Sequence, residues 1–226
     1  MIYIMKNFLF LLALFSVFVV TGCMRKVSHE DFYNWVLNWD LNVVEKYIKQ
    51  WWVIDDGGIY NTSPLIYAAS NGYKEMVDLF IKNNVDLNVV MNPWWYTALM
   101  WSILEWHDNI TKALISAGAD VNIQSDNWFS ALMYSVMEND IDIATFLVMH
   151  GADIDKQTLL WTTALMIASM EWFVEILWLL IQYWADINIR DLYGNTALSV
   201  ARSKWHNQIV NMLNVANQIK KQRAIK

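Results

Sequence analysis

Residues 163–188 read TALMIASMEWFVEILWLLIQYWADIN, and the motifs that open and close this stretch both recur along the chain. The opening motif is a hydroxyl residue followed two positions later by leucine, and its spacings are 34, 33, 33 and 33 residues. The closing motif is an aspartate followed two positions later by Asn or Asp, spaced by 34, 33 and 33 residues. A period of this length, held in two registers, indicates a solenoid of stacked units. The opening motifs are Ser63-Pro64-Leu65, Thr97-Ala98-Leu99, Ser130-Ala131-Leu132, Thr163-Ala164-Leu165 and Thr196-Ala197-Leu198, and the closing motifs begin at Asp86, Asp120, Asp153 and Asp186.

Each repeated unit predicts two short helices. The Ser or Thr of the opening motif is expected at the start of the first helix, where its hydroxyl can cap free backbone N–H groups. The leucine of the same motif then forms a buried column through the stack. The second helix shows helical spacing of apolar residues, as in residues 76–81. One such pair cannot bury its apolar face alone, so neighbouring units must stack.

The period and the opening motif resemble the ankyrin repeat, whose signature is Thr-Pro-Leu-His. The resemblance covers roughly residues 31–213 and implies an all-α ankyrin-repeat solenoid, with stacked helix-turn-helix units and β-hairpin-like loops. About five repeats would follow a divergent N-terminal unit, with units at about 31–55, 56–88, 89–122, 123–155, 156–188 and 189–219. The chain departs from the signature in the His column, where apolar contact is expected to replace hydrogen bonds. That column holds Ile66, Met100, Met133, Met166 and Ser199.

The first residues have the pattern of an export signal. Lys6 precedes an apolar run, Phe8–Val20, whose 13 residues are too few for a membrane span of roughly 20. The run ends in Val20-Thr21-Gly22-Cys23, which resembles the lipobox of bacterial lipoproteins. That resemblance implies a lipidated Cys23 and a membrane-anchored protein outside the cytoplasm. An ordinary secretory signal and an uncleaved apolar segment remain alternatives. The predicted order is signal peptide 1–22, linker 23–30, repeat domain 31–219 and basic tail 220–226.

The chain has 14 Trp but only 7 Gly, and the aligned units place most of these Trp in three turn columns. Ankyrin units need positive φ at these turns, which Gly adopts freely and Asn adopts second best. The 16 aligned positions hold four Gly, three Asn and nine Trp. The nine Trp are Trp39, Trp51, Trp95, Trp106, Trp128, Trp161, Trp172, Trp184 and Trp205.

These nine positions are hypothesised to be glycine in the living cell. Some bacteria read the UGA codon as glycine, and translating UGA as tryptophan would write Trp at glycine positions. A genuine UGA-tryptophan code would not direct Trp into glycine columns. The alternative is an unusual Trp-rich family. Trp94, Trp101 and Trp178 do not align with glycine.

The composition argues against catalysis and against nucleic acid as a partner. The net charge is −6, and the one basic cluster is Lys220, Lys221, Arg223 and Lys226, whereas phosphate binding requires a basic face. The four His form no zinc-type pair at helical spacing, and one cysteine makes no cysteine-type metal site. We expect no enzyme activity, no cofactor, no metal and no small-molecule substrate.

Two sets of residues are candidates for binding another protein. Glu105, Glu138 and Glu171 recur at spacing 33 and would form an acidic row in a stack. The hairpins carry apolar and aromatic residues, which often mark interfaces; the candidates are Tyr60, Tyr96, Phe129, Leu160 and Tyr193. The alternatives are a solvated polar edge for the row and packing between hairpins for the aromatics. The sequence therefore favours a membrane-tethered protein-binding scaffold, with an inhibitor, immunity-type or accessory protein of one enzyme as the alternative.

Overall fold

Five helix-turn-helix pairs make up the part of the chain that the computed structural model describes, namely Leu41, Val44, 63–91 and 93–224. Leu41 and Val44 are also helical. The predicted signal peptide, the linker and most of the first unit lie outside the described residues. The first helices of the pairs are α1 Pro64–Ser70, α3 Ala98–Leu104, α5 Ala131–Met137, α7 Ala164–Met170 and α9 Ala197–Ser203. The second helices are α2 Lys74–Lys82, α4 Asp108–Ser116, α6 Ile141–Met149, α8 Val174–Gln182 and α10 Asn207–Ala224.

The first helix of each pair begins where the sequence predicts a hydroxyl cap. The Thr97 hydroxyl accepts from the Met100 N–H at 3.2 Å, and Thr163 accepts from Met166 at 3.3 Å. At α9, Thr196 and Ser199 cap each other reciprocally. The predicted capping is thereby confirmed, and each cap contributes about 1 kcal/mol to helix stability.

The core lies between a layer of first helices and a layer of second helices. Consecutive first helices pack on one another from α1 to α9, and consecutive second helices do the same from α2 to α10. Met100, Met133 and Met166 in the former His column are each 1% exposed. Apolar burial therefore replaces the hydrogen bonds of the signature histidine at these positions. The column of leucines at 65, 99, 132 and 165 is buried, and the last leucine, Leu198, is half-buried.

Side chains of the closing motifs join neighbouring units in a ladder. The Asn88 Oδ1 accepts from the backbone N–H of Asp120 at 2.8 Å. Asn122 accepts from the Asp153 N–H at 2.8 Å, and a carboxylate takes the third rung, where Asp155 accepts from the Asp186 N–H at 2.8 Å. The recurring motif thus fixes the register of one unit on the next.

The last helix, α10, has 18 residues, against nine in the other second helices. The sequence predicts a repeat domain that ends at residue 219 and a separate basic tail. The structure instead continues the helix through Ala224, because residues 220–224 are good helix formers and their positive charges suit a helix C-terminus. Within the described residues, no helix has both the length and the apolar content that crossing a membrane requires.

Candidate functional site

The three glutamates of the predicted acidic row occupy equivalent places in the fold. Glu105, Glu138 and Glu171 are the C-cap residues of α3, α5 and α7. Because these helices have equal length and pack side by side, the carboxylates follow one another at the same end of the layer. Glu105 and Glu171 are exposed, Glu138 is half-buried, and none of the three carboxylates has a hydrogen bond or ion pair with another described residue.

An apolar side chain precedes each glutamate of the row. Met137 is 47% exposed and Met170 is 39% exposed, while Leu104 is half-buried. These three residues lie one helical position before the carboxylates, so an apolar row accompanies the acidic row along the layer of first helices. We call the six residues the acidic-apolar strip. Both of its rows are in part open to solvent.

Two of the predicted hairpin contacts form an exposed apolar patch. Leu160 is 50% exposed and Tyr193 is 75% exposed, and their neighbours Leu159 and Leu192 are exposed as well. The Leu192 N–H donates to the Leu160 carbonyl at 3.0 Å, which joins the two hairpins directly. Leu159, Leu160, Leu192 and Tyr193 are called the hairpin patch below. Tyr60 lies outside the described residues.

The other two predicted hairpin contacts pack inside the molecule. Tyr96 is half-buried, with its ring edge-on to those of Trp101 at 5.2 Å and Tyr134 at 5.7 Å. Phe129 is also half-buried and stacks on Tyr134 at 5.5 Å. Burial raises the pKa of Tyr134, whose hydroxyl donates to the Ser125 Oγ at 3.1 Å. Tyr96 and Phe129 therefore pack against side chains of first helices, whereas the alternative drawn from the sequence was packing between adjacent hairpins.

The Trp of the turn columns adopt left-handed backbone throughout the described residues. Trp39, Trp51 and Asn61 lie outside those residues. The other 13 of the 16 turn-column positions, which hold Trp, Asn or Gly, have φ between +54° and +91°, and no other described residue has positive φ. The predicted backbone is therefore confirmed where it is described. The Trp among them are Trp95, Trp106, Trp128, Trp161, Trp172, Trp184 and Trp205.

The side chains of these seven Trp are 54–84% exposed. A non-glycine residue in left-handed backbone costs about 1–2 kcal/mol, and an exposed indole recovers little of that through burial. Trp94, Trp101 and Trp178 are absent from the positive-φ positions. Left-handed backbone therefore separates the Trp in glycine columns from the other described Trp.

Two of the three described histidines, His107 and His206, join neighbouring units, whereas His150 contacts the Phe146 carbonyl of its own helix. The ring of His107 contacts the Ser70 carbonyl oxygen through Nε2 at 3.3 Å, and that of His206 contacts the Ser169 carbonyl through Nδ1 at 2.9 Å. Each of these contacts crosses from one unit to the preceding one. In the described part of the chain, no three His, Cys, Asp or Glu residues form a group that could hold a metal ion.

The third rung of the ladder concentrates negative charge. Burial is the main reason that the pKa of Asp155 is raised, and the negative charges of Asp186 and Asp153 add to it, against the backbone hydrogen bond from Asp186. Asp186 itself has a lowered pKa, chiefly because the Lys220 ammonium donates to its Oδ1 at 2.7 Å. The basic end of α10 thus stabilises the charge of this loop.

Comparison with known protein families gives a match over three overlapping parts of the chain. Residues 34–125, 65–158 and 132–223 match the family described as ankyrin repeats (3 copies). None of the curated proteins matches the chain. Ankyrin repeats are protein-binding scaffolds and are in general non-catalytic. The 33-residue period, the stacked helix pairs and a family match that extends from residue 34 to residue 223 show that the chain belongs to the ankyrin-repeat family.

Proposed function

We propose that the chain is a membrane-tethered scaffold that binds another protein through the hairpin patch and the acidic-apolar strip. The observation that carries this proposal is the hairpin patch, where Leu160 and Tyr193 are at least half exposed on two adjoining hairpins. Exposed apolar patches of this kind mark protein interfaces. The scaffold performs no chemistry of its own.

The binding surface is tested by cross-linking on native membranes followed by purification of the full chain. We expect a cross-linked partner for the wild-type chain and its loss in Leu160→Ser/Tyr193→Ser. A matched control replaces Val215 and Ile219, two exposed apolar residues of α10, by serine and should keep the partner. One stoichiometric partner that is an inhibited enzyme would favour the alternative function. Equal capture by both variants would contradict a binding role of the patch.

The membrane tether rests on Cys23 and the apolar run before it. A thioether-linked diacylglyceryl group on Cys23 would hold the mature protein stably on the bilayer, since its two acyl chains anchor where one does not. Metabolic labelling with palmitate should mark the wild-type chain and should fail with Cys23→Ala, which should also leave the membrane fraction. Label that persists in Cys23→Ala would contradict lipidation at this residue.

We also propose that the nine Trp of the turn columns are glycine in the native protein. The proposal is supported by positive φ at all seven described positions and by their solvent-exposed indoles. The test is to read the codons and to weigh native peptides. UGA codons, with peptide masses that contain glycine, are expected at Trp106, Trp172 and Trp205. UGG codons at these positions would contradict the proposal.

A further inference from the structure

We infer that the acidic-apolar strip receives a cationic amphipathic α-helix of the partner, laid across α3, α5 and α7. Basic side chains of that helix would reach Glu105, Glu138 and Glu171, and its apolar face would cover Leu104, Met137 and Met170. The inference rests on the proposed scaffold function and adds the chemistry and the secondary structure of the segment that binds.

The spacing of the strip suits a helix and does not suit an extended peptide. Packed helices lie about 8–10 Å apart, so successive glutamates are separated by about that distance along the layer. Seven residues of an α-helix advance about 10.5 Å and return to nearly the same face. In an extended chain, side chains on one face are about 6.8 Å apart at a spacing of two residues and about 13.6 Å apart at a spacing of four, and neither distance matches the spacing of the glutamates. Lysine or arginine at seven-residue intervals on a helix therefore meets one glutamate after another.

The placement of negative charge is unfavourable for the helices that carry it. A carboxylate at a helix C-terminus opposes the helix dipole, whereas one in the first turn is favoured by it. The second helices α2, α4, α6 and α8 follow the favourable rule, since each has an acidic residue in its first turn. Helix stability accounts for that outer row, which consists of Glu75, Asp108, Asp142 and Glu175. Helix stability disfavours the row of C-cap glutamates, whose carboxylates have no ion pair with other described residues.

The apolar half of the strip completes the match to an amphipathic helix. Met137 and Met170 present unbranched, polarisable side chains that adapt their shape to a partner. Each directly precedes the glutamate of the same unit in sequence, so the apolar and the acidic residues recur together from one unit to the next. A helix with one apolar and one basic stripe satisfies both rows at once, whereas a purely basic segment leaves the methionines in water.

The experiment measures binding of two labelled synthetic helices of equal composition to the full chain by fluorescence anisotropy. The protein used in this experiment has, at each position of the turn columns, the residue that the native organism incorporates there. The first peptide has lysine at intervals of seven residues beside a leucine stripe, and the second has the same lysines at intervals of five. We expect the first peptide to bind at least about tenfold more tightly and to lose affinity as salt is raised.

Matched charge variants of the chain locate the site. Glu105→Gln/Glu138→Gln/Glu171→Gln should weaken binding of the first peptide about tenfold and slightly raise the thermal midpoint. The control triple Glu75→Gln/Asp142→Asn/Glu175→Gln removes the same charge from the outer row and should leave the affinity unchanged. Circular dichroism verifies that both triples keep the helical fold.

The outcomes separate this inference from the scaffold function. Equal affinity for the two peptides, or equal loss of affinity in both charge triples, overturns the inference. If that happens while the native partner still depends on Leu160 and Tyr193, the scaffold function stands without a helix in the strip. If no variant of the hairpin patch affects capture of the native partner either, the proposed function fails as well.

Discussion

The turns at Gly72 and Trp172 each join a first helix to a second helix, at equivalent places in units that lie three repeats apart. Both have left-handed backbone, with φ of +76° at Gly72 and +64° at Trp172. Both are closed by the next residue, whose N–H donates five positions back at 2.9 Å in the first turn and 3.0 Å in the second. The two backbones are alike although one residue has no side chain and the other has the largest. The helix pair therefore imposes the turn, and the residue must tolerate it.

The two turns differ in the space above the turning residue. A Cβ built on Gly72 would lie 2.8 Å from the Cε1 of His107, which comes from the next unit. At the equivalent place, the Trp172 indole lies outward, 57% exposed, and stacks on His206 at a ring distance of 6.1 Å. The histidine of the following unit occupies this space in both cases. Glycine leaves room for the histidine ring, whereas the tryptophan indole lies partly in solvent and stacks on that ring.

The largest effect is expected when every Trp of the turn columns is replaced by Gly at once. At about 1–2 kcal/mol each, relief at the seven described positions amounts to on the order of 10 kcal/mol, which is comparable to the stability of a whole domain. The all-glycine chain should unfold cooperatively in urea by far-UV circular dichroism. The all-tryptophan chain should unfold at much lower urea or lack a cooperative transition. Similar midpoints for the two chains would show that the turns carry no such strain.

A smaller effect separates backbone strain from crowding at the glycine turns. Gly118 also has positive φ, but a Cβ there would meet no atom within 4 Å. Gly118→Ala should cost about 1 kcal/mol for the left-handed geometry. Gly72→Ala should cost about 1–3 kcal/mol more, because its Cβ meets the ring of His107. Urea midpoints measure both variants.

The control for this pair is His107→Ala, alone and combined with Gly72→Ala. Removing the ring should abolish the extra cost of alanine at position 72 and leave only the cost of positive φ. If the cost of Gly72→Ala is the same with and without the ring, contact with His107 is not its cause.

Replacing a single tryptophan tests whether the left-handed turn at Trp172 is strained. Trp172→Gly should stabilise the chain by about 1–2 kcal/mol, because glycine adopts the left-handed turn without strain. Trp178 is exposed to a similar degree but lies inside α8. Trp178→Gly should therefore destabilise by roughly 0.5 kcal/mol through helix propensity. Urea titration of both variants gives the signs, and equal signs would contradict the role assigned to the turn.

Periodicity made the fold and these turns predictable from sequence. Five copies of one motif predict the helix caps, the buried leucines and the turn columns together. A departure from the motif in one copy therefore does not change the prediction for the others. The packing of Tyr96 and Phe129 was not predictable, because hairpin position alone does not tell whether a ring faces solvent or Tyr134. The extension of α10 through Ala224 was missed because no periodic unit covers it. The acidic row follows from the repeat, whereas its unfavourable place at the C-caps becomes visible only with the helix ends.

The ladder between units also places different side chains at equivalent backbone positions, an amide in two rungs and a carboxyl group in the third. Asn88 and Asn122 hold the first two rungs through neutral amides, and Asp155 holds the third through a carboxyl group. The folded-state pKa of Asp155 is raised, so its contribution to stability is present below its unfolded pKa of about 3.9 and is lost as pH rises through the folded value. At neutral pH the ionised group therefore weakens the fold.

Asp155→Asn should raise the thermal midpoint at pH 7 by about 1–2 °C, which corresponds to a few tenths of a kcal/mol for a chain of this size. The amide keeps an acceptor for the Asp186 N–H, while burial of a charge and repulsion from Asp153 and Asp186 disappear. At pH 3 the gain should shrink, because the carboxyl group of the wild-type chain is then largely protonated. Asn122→Asp is the reverse control and should lower the midpoint at pH 7. A lower midpoint for Asp155→Asn at pH 7 would mean that the charged rung binds its N–H strongly enough to outweigh its burial.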